Sequence, residues 1–253
     1  MAPSAISNTY AATGGHGEGM DIFTKKGADT VNLAVGAANG KSTIPTLTDF
    51  ATKDEEQKYH KEHLVAASRV FAANGFDEGL SGHMSLYTMH FADITVSDLV
   101  RVTEDAEVVH GTHAVNAAGF AIHSEIHKAH PWVNAVCHAH STAGKAYSAF
   151  GRPPPPLTQD SLKFYGHHTS CTSLLSVGAT IDEACYWFCS FDKCCQAQLL
   201  IDAASAFHGE PRRIDEEVAV KSAKILGARN RGWLHFQAYY SNMLKKTNGS
   251  FLQ

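Results

Sequence analysis

The sequence predicts a single layered α/β domain. Three observations carry that expectation. Apolar positions recur at helical spacing in several separate stretches, those stretches alternate with short segments of period two, and no internal repeat is present. Residues 1–48, rich in Gly, Ala, Ser and Thr and without sustained period, read as a flexible N-terminal tail. The domain is expected over 49–245 and a short C-terminal tail over 246–253.

The first helical pattern begins at Asp54. Leu64, Ala67 and Phe71 share one face, charges fill the others, and Asn74-Gly75 supplies the stop. Gly79 to Tyr87 reads as a loop entering a short strand, and Ile94 to Val102 as a strand or strand–turn unit interrupted by Asp98. Asn116 is a suitable N-cap for a helix through Ala117 to His130, ended by Pro131. Val133 to His140 then alternates, with Val133, Ala135 and Cys137 on one side and Asn134, Val136, His138 and His140 on the other. Gly151-Arg152 and Pro153 to Pro156 force an extended connection. Thr180 and Glu183 form a capping box for the longest helical pattern, with Ile181, Ala184, Phe188, Phe191 and Cys195 on its apolar face and an end near Ala206. A further helix is expected over Asp215 to Leu226.

Composition narrows the function classes. With 44% hydrophobic and 18% charged residues over 253 positions, wholesale disorder, collagen and coiled coil are excluded. The net charge of −4 leaves no basic footprint for nucleic acid or anionic lipid, Lys245-Lys246 being the longest basic cluster. No apolar run reaches bilayer length, and the first twenty residues lack the basic and apolar regions of a leader, so a cytoplasmic protein is expected. The six cysteines include no CxxC and are expected to be buried reduced thiols rather than a structural zinc site. The run Gly14 to Gly19 follows no strand and opens no helix, so it does not read as a phosphate loop.

The excess lies in histidine, 16 copies, grouped between His123 and His140. Ser124-Glu125 on a helix precedes His138-Ala139-His140 on a strand. Two histidines at i and i+2 project from one strand face, so both imidazoles can bind one ion, and such nitrogen ligands suit zinc and other borderline metals. Glu125, on the preceding helix, is a candidate ligand or proton carrier.

The segments YHKEHLVAASRVFAANGFDEGLSGHMSL, HSEIHKAHPWVNAVCHAHS, LLSVGATIDEACYW and GWLHFQAYY, in this order, resemble the class II aldolase/adducin domain family, particularly its fungal members. The resemblance covers roughly residues 50 to 240. It implies a three-layer α/β/α domain with a central, mostly antiparallel sheet, assembled as a homotetramer with active sites between subunits. It also implies a divalent metal, Zn2+ first, held by an HxH pair and a third histidine. The pair corresponds to His138 and His140, the acid/base glutamate to Glu125, and the anion-holding loop to Gly82, His83 and Ser85. The expected activity is that of a lyase or isomerase on a small hydroxy-carbonyl compound, in a fungal setting a secondary metabolite. The alternative is a catalytically inactive homologue serving as an interaction or oligomerisation module. An adducin-like actin role is disfavoured, because the long basic-ended tail of adducins is not seen before Gln253.

Three departures from the family pattern abut the expected site. The loop that normally reads Gly-Asn-x-Ser-x-Arg is Gly82-His83-Met84-Ser85-Leu86-Tyr87. A hairpin that should follow Tyr87 is missing. The third metal histidine is replaced by Cys171-Thr172-Ser173, and a strand–helix–strand portion before Leu174 has shrunk to a few residues around His167 and His168, either of which is a candidate replacement ligand. Two accounts fit the abrupt edges: divergence to another role, or coding segments dropped as introns when the gene was assigned.

Overall fold

The computed structural model describes residues 47, 50–78, 90–166 and 174–253. The anion loop at Gly82, His83 and Ser85, the expected strand before Tyr87, and His167, His168 and Cys171 lie outside the described residues.

Helix α1 spans Lys53–Ala73. The Thr52 side chain caps it by accepting from Glu55 N, and three acidic residues in its first turn complement the helix dipole. Its inner face buries Val65, Ala66, Ala67, Val70 and Phe71, while Leu64 packs at the edge of the core. The chain stops at Asn74-Gly75, as expected, with Gly75 at positive φ.

The segment expected as a strand from Ile94 departs from that expectation. The Asp98 carboxylate accepts from Thr95 N at 2.8 Å and from the Thr95 hydroxyl at 2.7 Å, which curls Val96–Asp98 into a 3-10 turn. A strand survives only as β1, Arg101–Val102, paired antiparallel with β2, Val108–His110, in an exposed hairpin.

Helix α2, Ala117–Ala129, starts where the sequence places it. Asn116 Oδ1 accepts from Ala118 N and Gly119 N. Strand β3, Ala135–Ala139, pairs antiparallel and in register with β4, Leu174–Gly178. Every residue of β3 is buried, so its two faces are not a core face and a solvent face. Ser141 caps a short helix, α3 (Thr142–Ser148), which the alternating pattern does not announce.

The longest helix, α4, Ile181–His208, lies against both β3 and β4. Thr180 caps it by accepting from Glu183 N. The capping box is not reciprocal, however: the Glu183 carboxylate reaches one residue further back and accepts from Ala179 N at 2.7 Å. Burial pushes the Glu183 carboxyl above its usual range, against the opposing pull of Arg229, 3.2 Å away. Helix α5, Glu216–Leu226, follows, and then α6, Arg229–Thr247, which packs on both α4 and α1.

Phe71, Phe76 and Phe188 interlock where α1 meets α4, with ring centroids 4.6–5.4 Å apart. Phe251, beyond α6, is fully buried against this core, and Gln253 O accepts from Ser97 N. The described sheets are antiparallel, and α4 lies against the β3–β4 pair, giving the α/β class expected. Five described cysteines, at 137, 185, 189, 194 and 195, are free and buried.

Gly178 closes β4 where the chain turns into α4. A Cβ there would meet Ala184 N at 2.8 Å, Glu183 Cβ at 2.9 Å and Thr180 O at 2.9 Å. Two of these atoms are backbone, so α4 itself must shift. Gly178→Ala is expected to cost about 1–3 kcal/mol, read as a lowered thermal midpoint. An unchanged midpoint would mean the β4–α4 turn has slack.

Candidate active site

Strand β3 carries His138 into the interior, and His140 follows at its end. The two Nε2 atoms face each other at 3.2 Å, with the rings nearly perpendicular. Two nitrogens bound tetrahedrally to one ion at about 2.0–2.1 Å each stand about 3.3 Å apart, so this spacing fits a shared divalent cation.

The opposite edges of both rings also face acceptors. His138 Nδ1 lies 3.1 Å from Leu174 O, across the strand pair. A carbonyl can only accept, so Nδ1 carries the proton and Nε2 presents its lone pair. His140 Nδ1 faces Glu78 Oε2 at 3.9 Å. Glu78 is gripped in turn by Lys145 on α3, whose Nζ donates to Oε1 at 2.8 Å and Oε2 at 2.6 Å. That hydrogen bond and the ammonium charge hold the Glu78 carboxyl below its usual range.

Glu125 sits on the outer side of α2. Its carboxylate is 3.1 Å from Lys128 Nζ and its side chain is 74% exposed, so in the single chain it faces solvent. The HxH spacing brings its two members together; the helix–strand return does not place Glu125 with them in one protomer. Among the described residues, no three His, Cys, Asp or Glu side chains are arranged to hold a metal ion. His138 and His140 therefore supply a two-nitrogen fit and no more within the described part.

Sequence reasoning missed Glu78 and Lys145. They stand 67 positions apart, and neither belongs to a spacing motif. The nearest signal was a carboxylate at the lip of the glycine-rich segment starting at Gly79.

Known proteins match this chain over most of its length. The Class II Aldolase and Adducin N-terminal domain matches residues 62–173. Decarboxylase NovR of Streptomyces niveus is 36% identical over 242 residues, which takes in 78% of this chain and 88% of that protein. The chain belongs to the class II aldolase and adducin family.

A second relative within the family is named 4-hydroxy-3-prenylphenylpyruvate oxygenase/4-hydroxy-3-prenylbenzoate synthase, from Streptomyces roseochromogenus subsp. oscitans. It is 36% identical, with 78% of this chain and 86% of that protein covered. Among solved class II aldolase structures, the L-fuculose 1-phosphate aldolase from Glaciozyma antarctica PI12 superposes with a TM-score of 0.73 at 37% identity, covering 80% of this chain and 95% of that one. The alignment to NovR is longer than the share of this chain that it takes in, so stretches of that class II relative have no counterpart here. No helix among the described residues is long and apolar enough to cross a membrane.

Proposed function

We propose that this chain is a metal-dependent lyase that breaks a carbon–carbon bond beside a carbonyl in a small hydroxy-carbonyl compound, by way of an enolate. The observation that carries the reading is the convergence of His138 Nε2 and His140 Nε2 at 3.2 Å, with Leu174 O at His138 Nδ1 and the Glu78 carboxylate 3.9 Å from His140 Nδ1. A divalent cation, Zn2+ first, supplies a Lewis acid that polarises the substrate oxygen and stabilises negative charge beside it.

The protein's own share is positional. His138 and His140 provide two nitrogen ligands, the tautomer of His138 set by Leu174 O, and the interior position of His138 keeps water from one side. Glu125 carries the proton to or from the carbon that loses its bond. Its exposure in a single chain suits an active site completed between subunits, and we place the enzyme as a homotetramer in the cytoplasm. Leu200 and Phe207, seven residues apart on one face of α4, are 67% and 89% exposed, which supports an interface there. The names of NovR, a decarboxylase, and of the aldolase neighbour support a lyase over an isomerase. The second Streptomyces relative's name supports a secondary-metabolite substrate of the aromatic 2-oxo acid kind, while the structural neighbour's name points to a sugar phosphate.

Turnover of a panel of 2-oxo acids and 3-hydroxy-carbonyl compounds by the metal-loaded chain tests this. Glu125→Gln is expected to lower kcat by about 10²–10⁴-fold while keeping its metal. Equal turnover by parent and variant would remove Glu125 from the chemistry.

A second reading has one observation in its favour: no three-ligand group exists among the described residues. On that reading the fold serves as an interaction module without chemistry, and cosedimentation with filamentous actin tests its cytoskeletal form.

A further inference from the structure

We infer that Glu78, clamped by Lys145, is a positioning residue that orients His140 for metal binding from behind its ring. The inference rests on the reading that His138 and His140 hold a divalent cation. It adds the device that sets the second ligand.

The two histidines differ in what fixes them. His138 is buried, and its Nδ1–H is held by a main-chain carbonyl of the paired strand, so its ring cannot turn without disrupting β3–β4. His140 stands at the strand's end with a side chain 34% exposed, and β3 pairing stops at Ala139. Without a second restraint its ring could rotate about χ2 and carry Nε2 off the His138 axis.

Glu78 is placed to supply that restraint, through its charge at 3.9 Å and not through a formed hydrogen bond. Its Oε2 faces Nδ1, on the ring edge opposite Nε2, so it lies behind the ring rather than among the atoms that would touch the ion. A carboxylate behind a ligating imidazole favours the tautomer with the proton on Nδ1 and raises the basicity of Nε2. Lys145 gives the carboxylate a fixed place. Its ammonium contacts both oxygens from α3, which Ser141 caps one residue after His140. The ligand, its orienting carboxylate and the cation that anchors the carboxylate are therefore tied to the short stretch of chain that leaves β3.

The contact is a charged one at the protein surface, so it contributes little to folding. That separates a positioning role from a structural one. Titration with cobalt(II) alone, followed by its visible d–d absorption, and zinc affinity by competition with a chromophoric chelator provide the measurement on the full chain. Glu78→Ala and Glu78→Gln are expected to weaken metal affinity about 10–100-fold, with the metal-free thermal midpoint unmoved. Glu78→Asp should recover part of the affinity, and Lys145→Met should weaken it in the same direction.

If the parent binds cobalt, His138→Ala loses it and both Glu78 variants bind like the parent, the positioning role falls and the metal reading stands. If parent and His138→Ala behave alike, the metal reading falls and takes this inference with it. A Glu78→Ala spectrum showing one ligand fewer would make Glu78 a ligand, which also overturns the role argued here.

Discussion

His138→Ala is expected to strip the chain of its metal. Plasma mass spectrometry on folded parent protein should find near one divalent ion per chain, and on the variant less than about a tenth of that. Loss of a mere orienting partner commonly costs 10–100-fold in affinity or activity, so loss of one of two described ligands should cost at least about 100-fold. The substitution also leaves Leu174 O without its imidazole partner in a buried strand pair, a cost of about 1–3 kcal/mol. His140→Ala is the companion variant, because its ring is partly exposed and makes no such main-chain bond. It should lose the metal to a similar degree with a smaller stability change. Retention of metal by both variants would place any bound ion elsewhere in the chain and end the lyase reading.

Asp182→Ala is expected to produce the largest loss of stability. Asp182 is fully buried in the first turn of α4, where its Oδ1 accepts from His63 at 2.6 Å, Gln237 at 2.9 Å and the Tyr59 hydroxyl at 3.3 Å. His63 is sandwiched between Tyr59 and Tyr240, with centroids at 3.8 Å and 3.9 Å, and Trp233 Nε1 donates to the Tyr59 hydroxyl at 2.8 Å. One carboxylate oxygen thus joins α1, α4 and α6. Removing it leaves buried donors on two other helices without an acceptor, at about 1–3 kcal/mol for each group left unsatisfied. Against a total stability of about 5–15 kcal/mol that is a large share. Urea unfolding should show a much lower midpoint with an unchanged slope. Asp182→Asn, which keeps one acceptor oxygen, should lose less. A change under about 1 kcal/mol for the alanine variant would mean that water enters and replaces the lost partner.

The sequence made local features readable and tertiary ones not. Helix α2 was legible because Asn116 and Pro131 bracket it, and both act through bonds within a few residues. Helix α4 was legible from Thr180 and its apolar face, although Glu183 turned out to serve Ala179 N rather than Thr180 N. Helix α6 was not anticipated: its buried Trp233, Phe236 and Met243 are spread among exposed polar residues, so the burial pattern becomes visible only against α4 and α1. The strand expected at Ile94 gave way to the Asp98–Thr95 hydrogen bonds, which outcompete a ladder with no partner strand for it among the described residues. At the site, the HxH pair was legible because period two dictates its geometry. Glu78 was not, because only the approach of α3 to the end of α1 creates its contact with His140.

Cys137 lies on β3 beside His138, and Cys185 and Cys189 face the same core from α4. Burial pushes the Cys137 and Cys185 thiols well above their ordinary pKa, so neither presents a thiolate while the domain is closed. A thiol reagent can reach them only in molecules that have opened, which gives the chain a built-in clock for its own breathing. The labelling rate at Cys137 times the separation of β3 from α4, the movement that would expose the His138 strand, and does so without an introduced cysteine.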